Sequence, residues 1–283
     1  MKKGSLFQRL AAAPHVVWAV MFIVFPMIFV LFFAFTDADG NFSFSNITSL
    51  SQYGHVFVLS IAFALIATVV CLIIGYPLAY FMSKQSPRAQ KVLMVLVMLP
   101  MWCNLLIRTY ALMALLDNGG LLNSLLVSLG LDKVQIVGTN FGVILGMIYD
   151  FLPYMVLPIF TAMTKLDPKF IEASQDLGCT TWQTMTRVIM PLTASGVISG
   201  VTMVFVPSIS TFYISQKLGA GKIDLVGDTI ERLFQNPSTY NVGAAISLVM
   251  MVLIIISVGI MNRFSDDKQP GDPKAGKGGG IMP

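Results

Sequence analysis

The sequence predicts an all-α, polytopic membrane protein with six transmembrane helices. Three observations carry that expectation. Of 283 residues, 55% are apolar and only 11% charged, with a mean hydropathy of +0.77, which leaves too little polar surface to cover a water-soluble globule of this length. Six apolar runs each reach the roughly 20 residues a helix needs to cross the hydrocarbon core. None alternates as a barrel strand does, and backbone polar groups in lipid must be satisfied within the segment, so helices remain.

The first run, about 16–35, is bounded by His15 and Asp37; its length exceeds the roughly 7–15 apolar residues of a cleaved signal core, so it is expected to be retained. The second, about 56–82, carries Cys71 and Pro77. The third, about 92–116, holds Pro100, Cys103 and Arg108, and the fourth, about 141–163, holds Asp150, Pro153 and Pro158. Pro191 and Pro207 lie in the fifth, about 188–214, and the sixth, about 242–261, precedes the tail. Prolines in spans free backbone carbonyls, as in kinked helices around a pathway. Residues 1–264 are expected to form one transmembrane domain. The rest, "SDDKQPGDPKAGKGGGIMP", is glycine, proline and charge and is expected to be a disordered cytoplasmic tail.

Basic residues set the orientation. Thirteen fall in the N-terminus, the 83–91 and 164–187 loops and the tail, four in the opposite loops, and Arg108 in a span; the richer side is cytoplasmic, so a multi-pass protein of the cell membrane with both termini inside is expected. The opposite loops carry Asp37, Asp39, Asp117, Asp132, Asp224, Asp228 and Glu231, an acidic external surface that would concentrate cations. The overall charge of +4 is thus a topological bias and no nucleic-acid patch. Cys71, Cys103 and Cys179 show no CxxC spacing and His15 and His55 are isolated, so neither a disulfide framework nor a metal site is expected. "GDPKAGKG" at 271–278 satisfies part of a phosphate-binding loop, but Gly278 stands where the magnesium-holding Ser or Thr belongs and no strand precedes it. No HExxH or nucleophile-elbow motif replaces it, so no enzyme activity of the chain's own is expected.

One polar stretch interrupts the apolar chain: "IEASQDLGCTTWQTMTRVIMP" at 171–191. Asp167 followed by Pro168 reads as an N-cap with proline at the first helical position. Gly178 supplies a left-handed residue to end that helix, and Thr180 with Gln183 forms a capping box that starts another. The prediction is a helix, a glycine corner and a helix over about 164–190. Phe170, Ala173 and Leu177 share one face and Trp182, Met185 and Ile189 another, so each short helix has an apolar stripe for docking. Glu172 and Asp176 repel at i,i+4 unless something basic meets them, which points to a partner, whereas interfacial membrane helices favour basic faces.

Here the chain resembles the EAA loop of ABC-importer permeases, Glu-Ala-Ala, three residues, Gly, nine residues, Ile-x-Leu-Pro: Glu172, Ala173, Gly178 and Pro191 match, while Ser174, Val188 and Met190 are mild departures. The runs "LPMWCNLLIRTYALMALLDNGGLLN" at 99–123 and "YDFLPYMVLPIFTAMTKLDPKFIEASQDLG" at 149–178 look like the spermidine/putrescine permeases of the PotB type. The resemblance spans most of the chain. It implies the type I importer (MetI-like) fold, a polyamine substrate, a second homologous permease subunit, an extracytoplasmic polyamine-binding protein, and a separate dimeric ATP-binding subunit that holds ATP and magnesium while this chain binds no cofactor. On that resemblance Glu172, Ala173, Asp176, Gly178 and Trp182 are expected to couple the chain to the ATPase.

For the substrate path, Asp150 is the one carboxylate expected inside a span and an intramembrane acid is a functional candidate by default; aromatic faces hold ammonium groups by cation–π attraction of about 0.5–2 kcal/mol. Trp102, Asn104, Tyr110, Tyr149, Asp150 and Tyr154 form the candidate group. Arg108 would repel a polycation and is expected to serve a structural ion pair, with Asp150 or with an acid on the partner subunit. Rival readings are a permease for another small solute, an ion-coupled transporter using Asp150 as proton relay, and a non-transporting scaffold.

Overall fold

The computed structural model describes residues 14–37 and 40–266. The N-terminal lysines, Asp39, nearly all of the tail expected to be disordered and the 271–278 stretch lie outside the described residues. Among those described, five helices are long and apolar enough to cross a membrane, six when one bent pair counts as a single span.

In chain order the helices are α1 (Pro14–Ala34), α2 (Gly54–Ser83) after two short turns at Ser45–Thr48 and Ser49–Tyr53, α3 (Pro87–Trp102) and α4 (Leu105–Leu116). α5 (Leu121–Ser128) and α6 (Asn140–Thr164) follow. Then come α7 (Pro168–Asp176), α8 (Thr181–Leu192) and α9 (Ala194–Ser210), and finally α10 (Tyr213–Leu218), α11 (Val226–Gln235) and α12 (Tyr240–Asp266).

Two expected spans need correction. The third is not one rod over 92–116. Helix begins at Pro87 and stops at Trp102, Cys103 is extended (φ −76°, ψ 144°), and the longer apolar helix runs over Leu105–Ser128. Asn104 makes the break: its Oδ1 accepts from the Leu106 backbone N at 2.8 Å, offering the chain a cap in place of another helical turn. The fifth is not one rod over 188–214 either: α8 and α9 meet at 67°, and α9 ends at Ser210. Pro191 brings no N–H, and Thr193 turns its hydroxyl back to the Ile189 carbonyl at 2.8 Å, a combination that bends helices. The apolar residues before the bend therefore belong to α8.

The described residues sort into two compact units. One is drawn from Met1–Phe63, Met113–Val143 and Ile209–Ile255. Its chain turns are tied by side chains: the Nδ2 groups of Asn46 and Asn241 both donate to the Thr36 carbonyl at 2.8 Å, and Ala34, Ala244 and Ala245 form a fully buried cluster. Ser60 Oγ accepts from the Val226 N at 2.8 Å, which anchors the start of α11, and the Gly138 N donates to the Leu218 carbonyl at 2.7 Å.

The other unit is drawn from Ala64–Leu112, Ile144–Ser208 and Ile256–Pro283. Met147, Met155, Val156 and Ile159 of α6 are buried, as is Val204 of α9. Close approach of these two helices depends on a missing side chain: a Cβ at Gly196 would lie 2.6 Å from the Ala162 Cβ and 2.8 Å from the Pro158 carbonyl oxygen. Small residues at such crossings let membrane helices gain van der Waals contact where no hydrophobic force drives them together.

Candidate functional site

Within the second unit two constellations stand out, a projecting knuckle and a buried ion pair. The knuckle is α7, a corner and α8. Asp167 Oδ1 accepts from the Lys169 N at 3.0 Å, and Pro168 occupies the first turn. At the far end the Gly178 N donates to the Gln175 carbonyl at 2.8 Å and the Cys179 N to the Ser174 carbonyl at 3.0 Å, the paired bonds of a Schellman motif. Gly178 has φ +77° with nothing near its would-be Cβ, so backbone conformation, and not space, demands glycine. Thr180 and Gln183 then cap each other reciprocally at 2.9 and 3.3 Å.

What locks the two helices is a contact that sequence reasoning misses. Ser174, in sequence only a departure from alanine, is buried and its Oγ lies 3.0 Å from Thr184 Oγ1, also buried. Its signal is a small polar residue on an otherwise acidic helix, but nothing in the spacing names a partner ten residues on. The stripe of Phe170, Ala173 and Leu177 faces outward; Leu177 is 85% and Trp182 73% exposed. Glu172 and Asp176 are exposed beside them. Ile189 alone of the expected second stripe is buried. The knuckle thus presents an apolar patch flanked by two carboxylates.

The ion pair is Arg108 of α4 with Asp150 of α6, Nε to Oδ1 at 2.5 Å, 7% and 0% exposed respectively. Thr109 Oγ1 donates to the other carboxylate oxygen at 3.3 Å. Arg108 Nη1 reaches back over the helix break to the Pro100 carbonyl at 2.9 Å, and its guanidinium lies 5.9 Å from the Tyr149 ring centroid. The proline, asparagine and arginine of the 100–108 run thereby act together on one break in the helix: the Pro100 carbonyl accepts from both the Cys103 N and Arg108 Nη1, and Asn104 caps α4. Thr109 and the Pro100 carbonyl escape a sequence-based search, because a serviceable hydroxyl is common and a backbone acceptor has no residue type.

The rest of the expected path is less convergent. Trp102 is exposed at the end of α3, Tyr110 and Tyr149 are about half exposed, and Tyr154 packs against Phe151 with centroids 6.3 Å apart. Asn104 spends its side-chain oxygen on the cap. Asp150, with a cation and a hydroxyl already on it, is a neutralised carboxylate.

Residues 73–269 match the family described as binding-protein-dependent transport system inner membrane component. The chain is 37% identical over 270 residues to the spermidine/putrescine transport system permease protein PotB of Haemophilus influenzae, covering 92% of this chain and 94% of the relative. Against the Escherichia coli K12 protein of that name the identity is 36% over 247 residues, 84% and 90% of the two chains. A chain of a bacterial alginate ABC transporter, solved in complex with an alginate pentasaccharide-bound periplasmic protein, superposes with a TM-score of 0.74 at 20% identity, over 92% of this chain and 94% of that one. The apolar helices, the helix–glycine–helix knuckle and these matches place the fold among the type I ABC-importer permeases, and the chain belongs to the inner-membrane components of binding-protein-dependent transport systems.

Proposed function

We propose that this chain is the permease subunit of an ATP-driven importer for polyamines, forming the translocation path with a second, homologous permease. The observation that carries the substrate class is the 37% identity to a spermidine/putrescine permease along nearly the whole length of both chains. Both termini are cytoplasmic on this reading, as the distribution of basic residues favours. The knuckle then faces the cytosol and enters a cleft of a dimeric ATP-binding subunit, which supplies ATP and magnesium, while a polyamine-binding protein docks outside.

Energy enters through α7 and α8. The exposed patch of Phe170, Leu177 and Trp182 supports docking, with Glu172 and Asp176 meeting basic groups of the ATPase; Ala173 and Gly178 permit the close approach and the corner. Closure of the ATPase moves the knuckle, and because α8 continues into α9 through one bend, the helices lining the path rock between outward- and inward-open arrangements. A cavity of about 210 Å³ at the root of the knuckle, lined by Tyr80, Lys84, Gln90, Thr164, Pro168 and Ile171, leaves room for that shift. Asp150 is held by Arg108, so the polycation is guided by the aromatic and amide groups, Trp102, Asn104, Tyr110, Tyr149 and Tyr154, more than by that carboxylate.

The decisive test is to reconstitute the complex with its ATPase and binding protein in vesicles and to follow labelled spermidine and putrescine. ATP-dependent uptake of either is expected. Uptake sustained by a proton gradient without ATP, or ATP-dependent uptake of an unrelated solute only, would overturn it.

A further inference from the structure

Along the chain, motion of the knuckle reaches α9 through the stretch that joins α8 to it, and that stretch is weak as a rod. The Met190 N donates to the Met185 carbonyl, making a π-helical turn of Met185–Ile189, a rare and wider form of helix. Pro191 follows without an N–H. Thr193 then leaves the helical conformation (φ −99°, ψ 5°), and α8 and α9 part at 67°. A displacement applied at α7 and α8 would be taken up at such a joint as bending unless something holds its angle.

The group that can hold it comes from α2. Tyr76 Oη lies 3.1 Å from Thr193 Oγ1, and the two residues are buried, at 8% and 0% exposure. The direction of the bond follows from counting protons. A threonine hydroxyl has one, and that of Thr193 goes to the Ile189 carbonyl at 2.8 Å, with the Met190 carbonyl at 3.4 Å, so Tyr76 donates and Thr193 accepts. The relay from Tyr76 through Thr193 to Ile189 thus runs from α2 to the residue of the joint and on to a carbonyl before the bend, each bond polarising the next.

α2 is a firm place to hold from. Gly75, beside Tyr76, sits against α6: a Cβ there would lie 3.1 Å from Met155 Cγ. Gly200 of α9 meets the same residue, its would-be Cβ 2.8 Å from Met155 Sδ. Both helices are packed on α6, and the Tyr76–Thr193 bond joins them directly. Beside the joint, a groove of about 840 Å³ is lined by Tyr76, Pro77, Trp182, Met185, Met190 and Ala194. That space leaves the joint room to flex, so the hydroxyl bond supplies a restraint that packing on that side does not.

We infer that Tyr76 is a positioning residue for transport, holding the α8–α9 bend through its bond to Thr193 so that displacement of the knuckle is delivered to α9 and is not lost in the joint. It rests on the reading above, that ATP-driven closure enters at α7 and α8.

Tyr76→Phe removes the donor and keeps the ring; Thr193→Val removes the acceptor and keeps the shape, while Thr193→Ser keeps the hydroxyl. In the assembled transporter with its binding protein, in vesicles, Tyr76→Phe and Thr193→Val are each expected to raise the ATP hydrolysed per spermidine imported by about fivefold or more, with the hydrolysis rate itself within about twofold of wild type. Thr193→Ser is expected to keep the wild-type ratio, and Tyr76→Phe combined with Thr193→Val to be no worse than Thr193→Val alone, because both act on one bond. Spin labels at Thr181 and Ser199, exposed residues on either side of the bend, report the joint in the purified full chain with its three cysteines replaced. Their distance distribution is expected to broaden in Tyr76→Phe and Thr193→Val and to stay narrow in Thr193→Ser; if Tyr76→Phe is not recovered folded, the two Thr193 variants carry the same comparison. An unchanged distribution in the variants that lack a hydroxyl overturns the restraint. A broader distribution with an unchanged ratio of ATP to spermidine, or hydrolysis and uptake that fall in proportion, makes the bond a structural one and overturns the positioning role. A wild-type complex that imports no polyamine overturns the transport reading instead, and the label distances test the restraint independently of it.

Discussion

Single residues in this chain divide into those whose chemistry is local and those that need a distant partner. Gly178 is local: its φ of +77° is a conformation a β-branched side chain resists by about 1 kcal/mol or more. Gly178→Val is expected to insert and assemble normally yet lose most ATP-dependent uptake, measured against the amount of complex recovered. Arg108 and Asp150 need each other. Removing one leaves a buried charge unpaired and is expected to cost about 3–5 kcal/mol, read as a lower melting temperature of Arg108→Met or Asp150→Leu in detergent. The double variant is expected to melt above either single one. Asp228 makes stability depend on pH with a definite sign. Its carboxyl titrates near pH 6 in the folded chain against an ordinary 3.8, so the folded form binds the proton more tightly. Stability then rises as pH falls from about 6 to 4 and is lowest above 6, by about 3 kcal/mol at most. Hydrogen exchange of the α11 amides between pH 4 and 7 checks this; Asp228→Asn is expected to flatten the profile.

At the scale of elements, caps were legible because they are encoded within four residues. Asp167, Thr180 with Gln183 and Gly178 each act on backbone groups of their own turn, and the structure shows them doing so. Span boundaries were less legible. Hydropathy sees an unbroken apolar run over 92–116, but Asn104 and Cys103 break it, and it assigns 188–193 to a span although 188–192 finish α8. A 67° bend leaves no trace in an apolar average, since either side of it is equally greasy. The crossing of α6 with α9 is similarly invisible until the two helices are brought together. Gly196→Leu is expected to force them apart, since even a Cβ has no room there, and to reduce the recovered folded protein several-fold by size-exclusion chromatography.

For the molecule as a whole, the coupling knuckle is the surface on which assembly with the motor is proposed to depend. Its outward apolar residues gain nothing in the isolated chain, so Trp182→Ala is expected to leave the melting temperature of the purified chain within a few degrees and to weaken co-purification with the ATP-binding subunit at least tenfold. The sequence by itself determined that the chain is helical and membrane-spanning, and where its short capped helices start and stop. Composition, run length and capping act over one turn or one bilayer thickness, and both distances are written along the chain. Only the tertiary structure decided that Arg108 of one helix meets Asp150 of another, that Ser174 bonds Thr184, and that Asp224, Asp228 and Glu231 line one cavity with Gln216. Those contacts join residues with no fixed spacing, and a carboxylate costs or contributes energy according to what the fold sets beside it.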